Sequence, residues 1–306
     1  MPTARDLYRV TSGALAPSVP RGLTLVSTLP GVIDAGQVCR VAATYLSDSL
    51  PHERLITFEA DELIDFRSSR PLALFDGSRF ALDSEPSLHI DLLHDEAGVP
   101  FLLMSGLEPD LRWYGMSDAL VEICETFEIA RHMSLRAVPA EVPHTRVISL
   151  VPHANAVAQP RSPEDVYRTA PLEVPASFAA FLDVRLEAAG LSSQGFVAQI
   201  PHYLSRASFP AGALALLRRV GQAAGLSFGL MGLGDIVEAS TRLISTEVAE
   251  NRELEAHVRD LEEAYDAMQH GVGEDAHTVL DMPTADEIGD RLERFLAENT
   301  RDDGQP

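Results

Sequence analysis

Up to about residue 230, short apolar runs alternate with segments whose apolar residues recur at helical spacing, the pattern that βα units leave in a sequence. Leu23–Leu29 is apolar, ends at Pro30-Gly31 and leads through Asp34 into Ala35–Ser49, where Val38, Val41, Ala42, Tyr45 and Leu46 mark one helical face. Arg54–Glu59 alternates like a strand, and Asp76-Gly77 between apolar runs predicts a hairpin over Pro71–Leu82. Strands are expected at Leu88–Leu93 and Pro100–Met104, then a helix over Ser117–Ile129 carrying Leu120, Val121, Cys124 and Phe127. Leu135–Val138 and Val147–Val151 read as strands flanking Pro143-His144-Thr145-Arg146, and Ala154–Pro163 as a polar loop. Phe178–Ala189 reads as helix, Gly195–Ile200 as strand, and Ala211–Ala224 as helix stopped by Gly225.

Beyond that point the character changes. From Asp235 onward, 20 acids and 6 arginines carry 14 of the chain's 22 net negative charges. One long helix is expected over Asp235–Met268 and a last one from Thr284, supported by Asp286 and Glu287 at its positive end. Val258, Leu261, Tyr265 and Met268, with Asn251 in the same seam, form a stripe too short for a dimerising coil, so it should pack on its own core. The expected organisation is an N-terminal tail over residues 1–20, an α/β core over 21–229, and an acidic helical C-terminal domain over 230–306, a candidate lid.

No apolar run approaches the roughly 20 residues that span a bilayer, and Arg5, Asp6 and Arg9 stand where a signal peptide needs an apolar stretch, so a cytoplasmic protein is expected. The net charge of −22 argues against nucleic acid or anionic membrane as a partner, since both reward a basic patch. All 24 basic residues are arginine, which excludes Schiff-base chemistry and phosphate-loop lysines. Cys39 and Cys124 are far apart in helical segments, as buried thiols are. No Gly-x-Ser-x-Gly occurs, the Gly229-Gly232-Gly234 stretch lacks a preceding strand, and His89 and His94 miss the spacing of zinc ligands. No cofactor and no metal are expected.

Four polar clusters fall where predicted strands end: Asp34, then Glu108 and Asp110, then His144, Thr145 and Arg146, then His202 and Tyr203. In open α/β sheets ligands bind beyond the carboxyl ends of strands, so these residues are the ligand-binding candidates, with Arg146 as the natural anion clamp. Each also has a structural reading: Asp34 is placed to cap a helix, Glu108-Pro109-Asp110 to open one, and His144 and His202 to be satisfied by backbone groups. Asp65, Arg67 and Arg70 lie in a dense charged loop that suits either local ion pairs or a recognition surface.

Six segments in order resemble the proteasome assembly chaperone two family in its long actinobacterial form: Pro30–Gly36 (PGVIDAG), Asp61–Pro71 (DELIDFRSSRP), Gly106–Trp113 (GLEPDLRW), Pro143–Arg146 (PHTR), Gly195–Leu204 (GFVAQIPHYL) and Leu261–Asp266 (LEEAYD). The resemblance departs at Val147, where the family leads one to expect proline. It implies a three-layer core like that of phosphorylases and hydrolases, with a central mixed sheet, a hairpin insertion, a C-terminal helical extension over the crevice, and a small homo-oligomer such as a trimer. It transfers no catalytic role. Two functions follow as expectations: a binding or assembly protein that contacts protein partners, or a phosphorylase- or hydrolase-like enzyme acting on a polar small molecule such as a nucleoside.

Overall fold

The computed structural model describes residues 4–11, 19–31, 33–82, 86–158 and 173–270. Those within residues 4–158 and 174–266 belong to one compact unit; Glu173 and residues 267–270 belong to a second, whose other residues lie outside those described. The expected loop beyond Ala158 and the expected helix from Thr284 also lie outside them.

An eight-stranded mixed sheet forms the centre: β1 (Tyr8–Val10), β2 (Thr24–Ser27), β3 (His52–Phe58), β6 (Leu88–His94), β7 (Pro100–Gly106), β8 (Arg131–Ala140), β9 (Leu150–Ala154) and β10 (Ser193–Pro201) stand in the order β1-β3-β6-β7-β2-β8-β10-β9. The four inner strands β7, β2, β8 and β10 are parallel, while β1, β3, β6 and β9 add antiparallel pairs at the two sides. A separate two-stranded hairpin, β4 (Ala73–Phe75) with β5 (Phe80–Leu82), stands at the expected insertion.

Period-two alternation builds both cores at once. In β7, Leu102 and Met104 face one cluster while Phe101 and Leu103 face the other, all fully buried. The first cluster is completed by α3 (Trp113–Thr126) and α4 (Phe178–Ala188), the second by α1 (Val38–Ser49) and α5 (Pro210–Ala224), which makes the molecule three layers deep. The first of these faces also takes in the N-terminus. Tyr8–Val10 do not lie in a tail but pair with Phe58, Thr57 and Ile56 as the edge strand; three residues are too few to show an alternation in sequence.

Two other expectations are corrected. The strand placed at Val147–Val151 begins at Leu150 instead, since Val147 is 82% exposed and pairing with β10 is taken up only from Ser149, whose carbonyl accepts from Gln199 N–H. The long C-terminal helix is two helices, α6 (Met231–Glu250) and α7 (Arg252–His270). Asn251 is extended, and its side-chain oxygen accepts from Glu253 N–H (3.1 Å) and Leu254 N–H (3.2 Å), so it starts α7 as an N-cap. A short helix, α2 (Ala60–Leu63), follows β3. Among the described residues no helix is long and apolar enough to cross a membrane.

The approach of α5 to α1 depends on a missing side chain. A Cβ on Gly212 would lie 2.5 Å from Val38 Cγ2 and 2.8 Å from Ile200 Cδ1, both packed in the second core. Gly212→Ala should therefore destabilise the protein even though alanine favours a helix interior by about 1 kcal/mol, because overpacking costs about 1–3 kcal/mol. An unfolding free energy lowered by up to about 2 kcal/mol, read as a lower denaturant midpoint with an unchanged slope, is the expected result.

Candidate functional site

Because β2, β7, β8 and β10 are parallel, their carboxyl ends lie along one edge of the sheet, and the chain leaving each of them carries a predicted polar cluster. Asp34 follows β2. Its carboxylate accepts from Cys39 N–H (2.8 Å) and Arg40 N–H (3.1 Å) in the first turn of α1, so it acts as a helix cap. Burial raises the Asp34 carboxyl above its ordinary pKa, opposed by those two donors. Glu108 follows β7 and accepts from Phe178 N–H (2.6 Å), at the start of α4. It too is raised by burial, against the pull of the Phe178 and Ala179 N–H groups and of Arg136. The Cys39 thiol is pushed well up by burial and then by Asp34, with Arg136 opposing and Glu108 adding. Asp34, Cys39, Glu108 and Arg136 therefore share one neighbourhood.

Asp110 is engaged elsewhere. Its carboxylate accepts from Asp65 N–H (2.8 Å), while the Leu63 carbonyl accepts from the N–H groups of Asp110 and Leu111. Asp65 in turn accepts two hydrogen bonds from the Arg67 guanidinium, both 3.1 Å, and Arg70 is exposed. The charged loop thus forms a braced stalk leading to the β4–β5 hairpin.

A second polar group was not visible as a motif. On the first-core side of β8 and β10, the Asp183 carboxylate of α4 accepts from Ser193 Oγ (2.5 Å), pairs with Arg136, and lies 3.5 Å from His153 Nε2 and 3.8 Å from His132 Nδ1. Ser134 Oγ meets His153 Nε2 at 3.0 Å, and Ser193 Oγ meets His132 Nδ1 at 2.8 Å. Gly195 makes room, since a Cβ there would lie 2.3 Å from the Ser134 carbonyl oxygen and 2.6 Å from His153 Cε1. Burial would push the Asp183 carboxyl up, but the His153 hydrogen bond and the charges of His132 and Arg136 hold it well below the usual carboxylate range. Burial lowers His132 to about 4, with Asp183 opposing. The signal is a period of two, His132, Ser134 and Arg136, on a strand whose apolar residues announce it only from Leu135 onward.

The Pro-His-Thr-Arg segment and the Pro-His-Tyr segment are brought together beneath the C-terminal helices. Tyr203 Oη accepts from His144 N–H (2.9 Å) and lies 2.8 Å from His144 Nδ1, while His144 Nε2 reaches Ser245 Oγ of α6 at 3.3 Å. Burial lowers His144, partly offset by Glu262, and pushes Tyr203 up to about 12. Arg146 meets an anion that the chain itself supplies: it holds Asp266 of α7 through Nε (2.8 Å) and Nη2 (2.7 Å) and Glu262 through Nη1 (3.2 Å). Thr145 Oγ1 also donates to Glu262, and Tyr265 Oη donates to the Val147 carbonyl (2.9 Å). Val258, Leu261 and Tyr265 are buried, so the stripe packs inward, whereas Met268 is exposed. His202 stacks edge-on against Tyr203 and, at 5.1 Å between ring centroids, against His257 of α7.

The sequence profile of the PAC2 family matches residues 28–251. The chain belongs to the PAC2 family. Solved structures agree with this assignment. A Mycobacterium tuberculosis protein of unknown function, Rv2714, is 34% identical with a TM-score of 0.81, covering 88% of this chain and 92% of its own. A Corynebacterium glutamicum protein of unknown function is 30% identical with a TM-score of 0.79, covering 86% and 98%. The M. tuberculosis proteasome-assembly chaperone homologue Rv2125 is 25% identical with a TM-score of 0.69, covering 77% and 100%. No curated protein matches the chain. The PAC2 profile stops at Asn251, where α6 ends, so α7 and its contacts with Arg146 lie beyond the matched region of this PAC2 member.

Two outcomes follow from this geometry. Removing the guanidinium leaves Glu262 and Asp266 facing an uncharged loop, so in Arg146→Ala the α7 amides should exchange about tenfold faster while those of β7 are unchanged, as read by hydrogen–deuterium exchange. The second concerns pH. His132 takes its proton at pH 6.5 when unfolded but only at about 4 when folded, so its contribution is complete above pH 6.5 and is lost as pH falls towards 4. Stability measured in urea should fall by up to about 1.4 kcal/mol more per pH unit across that window in the native protein than in His132→Asn.

Proposed function

We propose that this protein is a noncatalytic binding and assembly protein that contacts protein partners through the β4–β5 hairpin. One observation carries the reading. Leu72, Leu74, Phe75, Phe80 and Leu82 on this hairpin are each between 53% and 75% exposed. Phe75 and Phe80 pair across the strands with centroids 4.8 Å apart, on the face that Ala73 and Leu82 share, while Leu74 stands on the other. A lone two-stranded hairpin is marginal in water, and contiguous exposed apolar surface of this kind marks an interaction site. The hairpin rises on the stalk that Asp110 braces, beside Arg67 and Arg70, which would add charged rim contacts around an apolar centre. Membership of the PAC2 family and the description of one relative as a proteasome-assembly chaperone homologue support the same reading. A cytoplasmic location and self-association into a small oligomer such as a trimer complete it.

A second reading, a phosphorylase- or hydrolase-like enzyme acting on a polar small molecule, draws on the buried group around Asp183. Its chemistry there is constrained. Ser134 and Asp183 both meet Nε2 of His153, so no proton path runs from the serine through the ring to the carboxylate. Asp34 and Glu108 are occupied by helix N–H groups. A rise in melting temperature with nucleosides, nucleotides or phosphate that Ser134→Ala abolishes would move the balance to this enzyme reading.

Leu74→Asp combined with Phe80→Asp tests the main reading. The hairpin lies apart from both cores, so the variant should melt with the native protein. Sedimentation velocity and binding to purified proteasome subunits should show association weakened at least about thirtyfold, the scale of one interface hot spot. Equal association of the native protein and the variant, or none by the native protein, overturns the proposal.

A further inference from the structure

Beside the helix-docking contacts lies a trio that they do not use. Ala140 of β8 is in register with Pro201 of β10, so the next residues, Glu141 and His202, leave the sheet side by side. His257 comes down onto them from α7. Each of the three offers a donor atom, and the three atoms lie within 4.8 Å of one another. Glu141 Oε1 and His202 Nδ1 are 3.5 Å apart. His202 Nδ1 and His257 Nε2 are buried and have no hydrogen-bond partner among the described residues. A buried imidazole nitrogen without a partner is costly in an apolar setting, and two of them beside one carboxylate are explained by a shared cation.

We infer that Glu141, His202 and His257 form a site for a divalent transition metal, zinc by chemical class, that ties α7 to the ends of β8 and β10. Two neutral imidazoles and a carboxylate suit zinc, whereas calcium and magnesium require oxygen ligands. Zinc bonds of about 2.0–2.1 Å place tetrahedral donors about 3.4 Å apart. The Glu141–His202 pair is already at that separation, and Glu141, exposed, is free to rotate inward as the two rings close. Three protein ligands leave a fourth position to solvent at the sheet edge. Ligands from both strands and the helix make binding of the ion favour the docked form of α7.

The test uses the full chain stripped of metal by a chelator and titrated with Zn²⁺ by calorimetry, with hydrogen–deuterium exchange of α7 read with and without the ion. One equivalent should bind and slow α7 exchange. Glu141→Gln, at an exposed position where folding is not in question, and His257→Gln should each weaken binding at least tenfold and abolish the α7 effect. Cobalt substituted for zinc should give the visible bands of a tetrahedral site, lost in both variants. Undiminished zinc binding in the two variants, binding without any change in α7, or no binding by the native chain overturns the inference.

Discussion

The parallel pairing of β8 with β10 is the constraint on which the functional half of the molecule rests. Nine registered residue pairs run from Ser193 opposite His132 to Pro201 opposite Ala140. That single register faces His132, Ser134 and Arg136 towards Asp183, places Gly195 where no side chain fits, and delivers Glu141 and His202 to the same edge. A slip of one residue would turn Met133 and Leu135 towards Asp183 and the histidine into the second core. The buried polar group resists such a slip, because each of its charges has its partner only in this alignment.

The helix ends on this edge are organised by carboxylates rather than left for a ligand. Asp34 and Glu108 answer the free N–H groups of α1 and α4 from outside those helices, one from the preceding loop and one from the loop that follows β7. Each fixes a helix to the strand end from which its carboxylate comes, which stiffens the frame on which the polar loops are carried. Arg146 does the corresponding work for the C-terminal segment, with an anion drawn from α7.

Much of the fold was legible in the sequence because it is written in short-range patterns. The apolar runs of β2, β6 and β7, the Asp76-Gly77 turn, and the helical spacing in α1 and α5 need only a dozen residues of context each. What escaped had physical reasons. The start of β8 was hidden because its inward face is polar, so His132 and Ser134 did not read as strand. The stripe through Asn251 was correct in period but not in continuity, since the asparagine oxygen takes the N–H groups that a through-going helix would need. Asp34 was legible both as a cap and as a candidate ligand group, and the structure places its carboxylate on α1. The pairing of Arg146 with Asp266 joins residues 120 apart, a distance over which no spacing rule speaks.

The seating of α7 combines two forces that differ in range. Its ionic contacts through Arg146 and Glu262 are about one-third open to water, so dissolved ions reach them, and at physiological ionic strength the screening length is only about 8 Å. Val258, Leu261 and Tyr265 are buried, and their burial is indifferent to such screening. Salt therefore loosens the orientation of this helix before it loosens its attachment. The charged residues choose the angle at which α7 lies across the sheet edge, and the apolar ones keep it there.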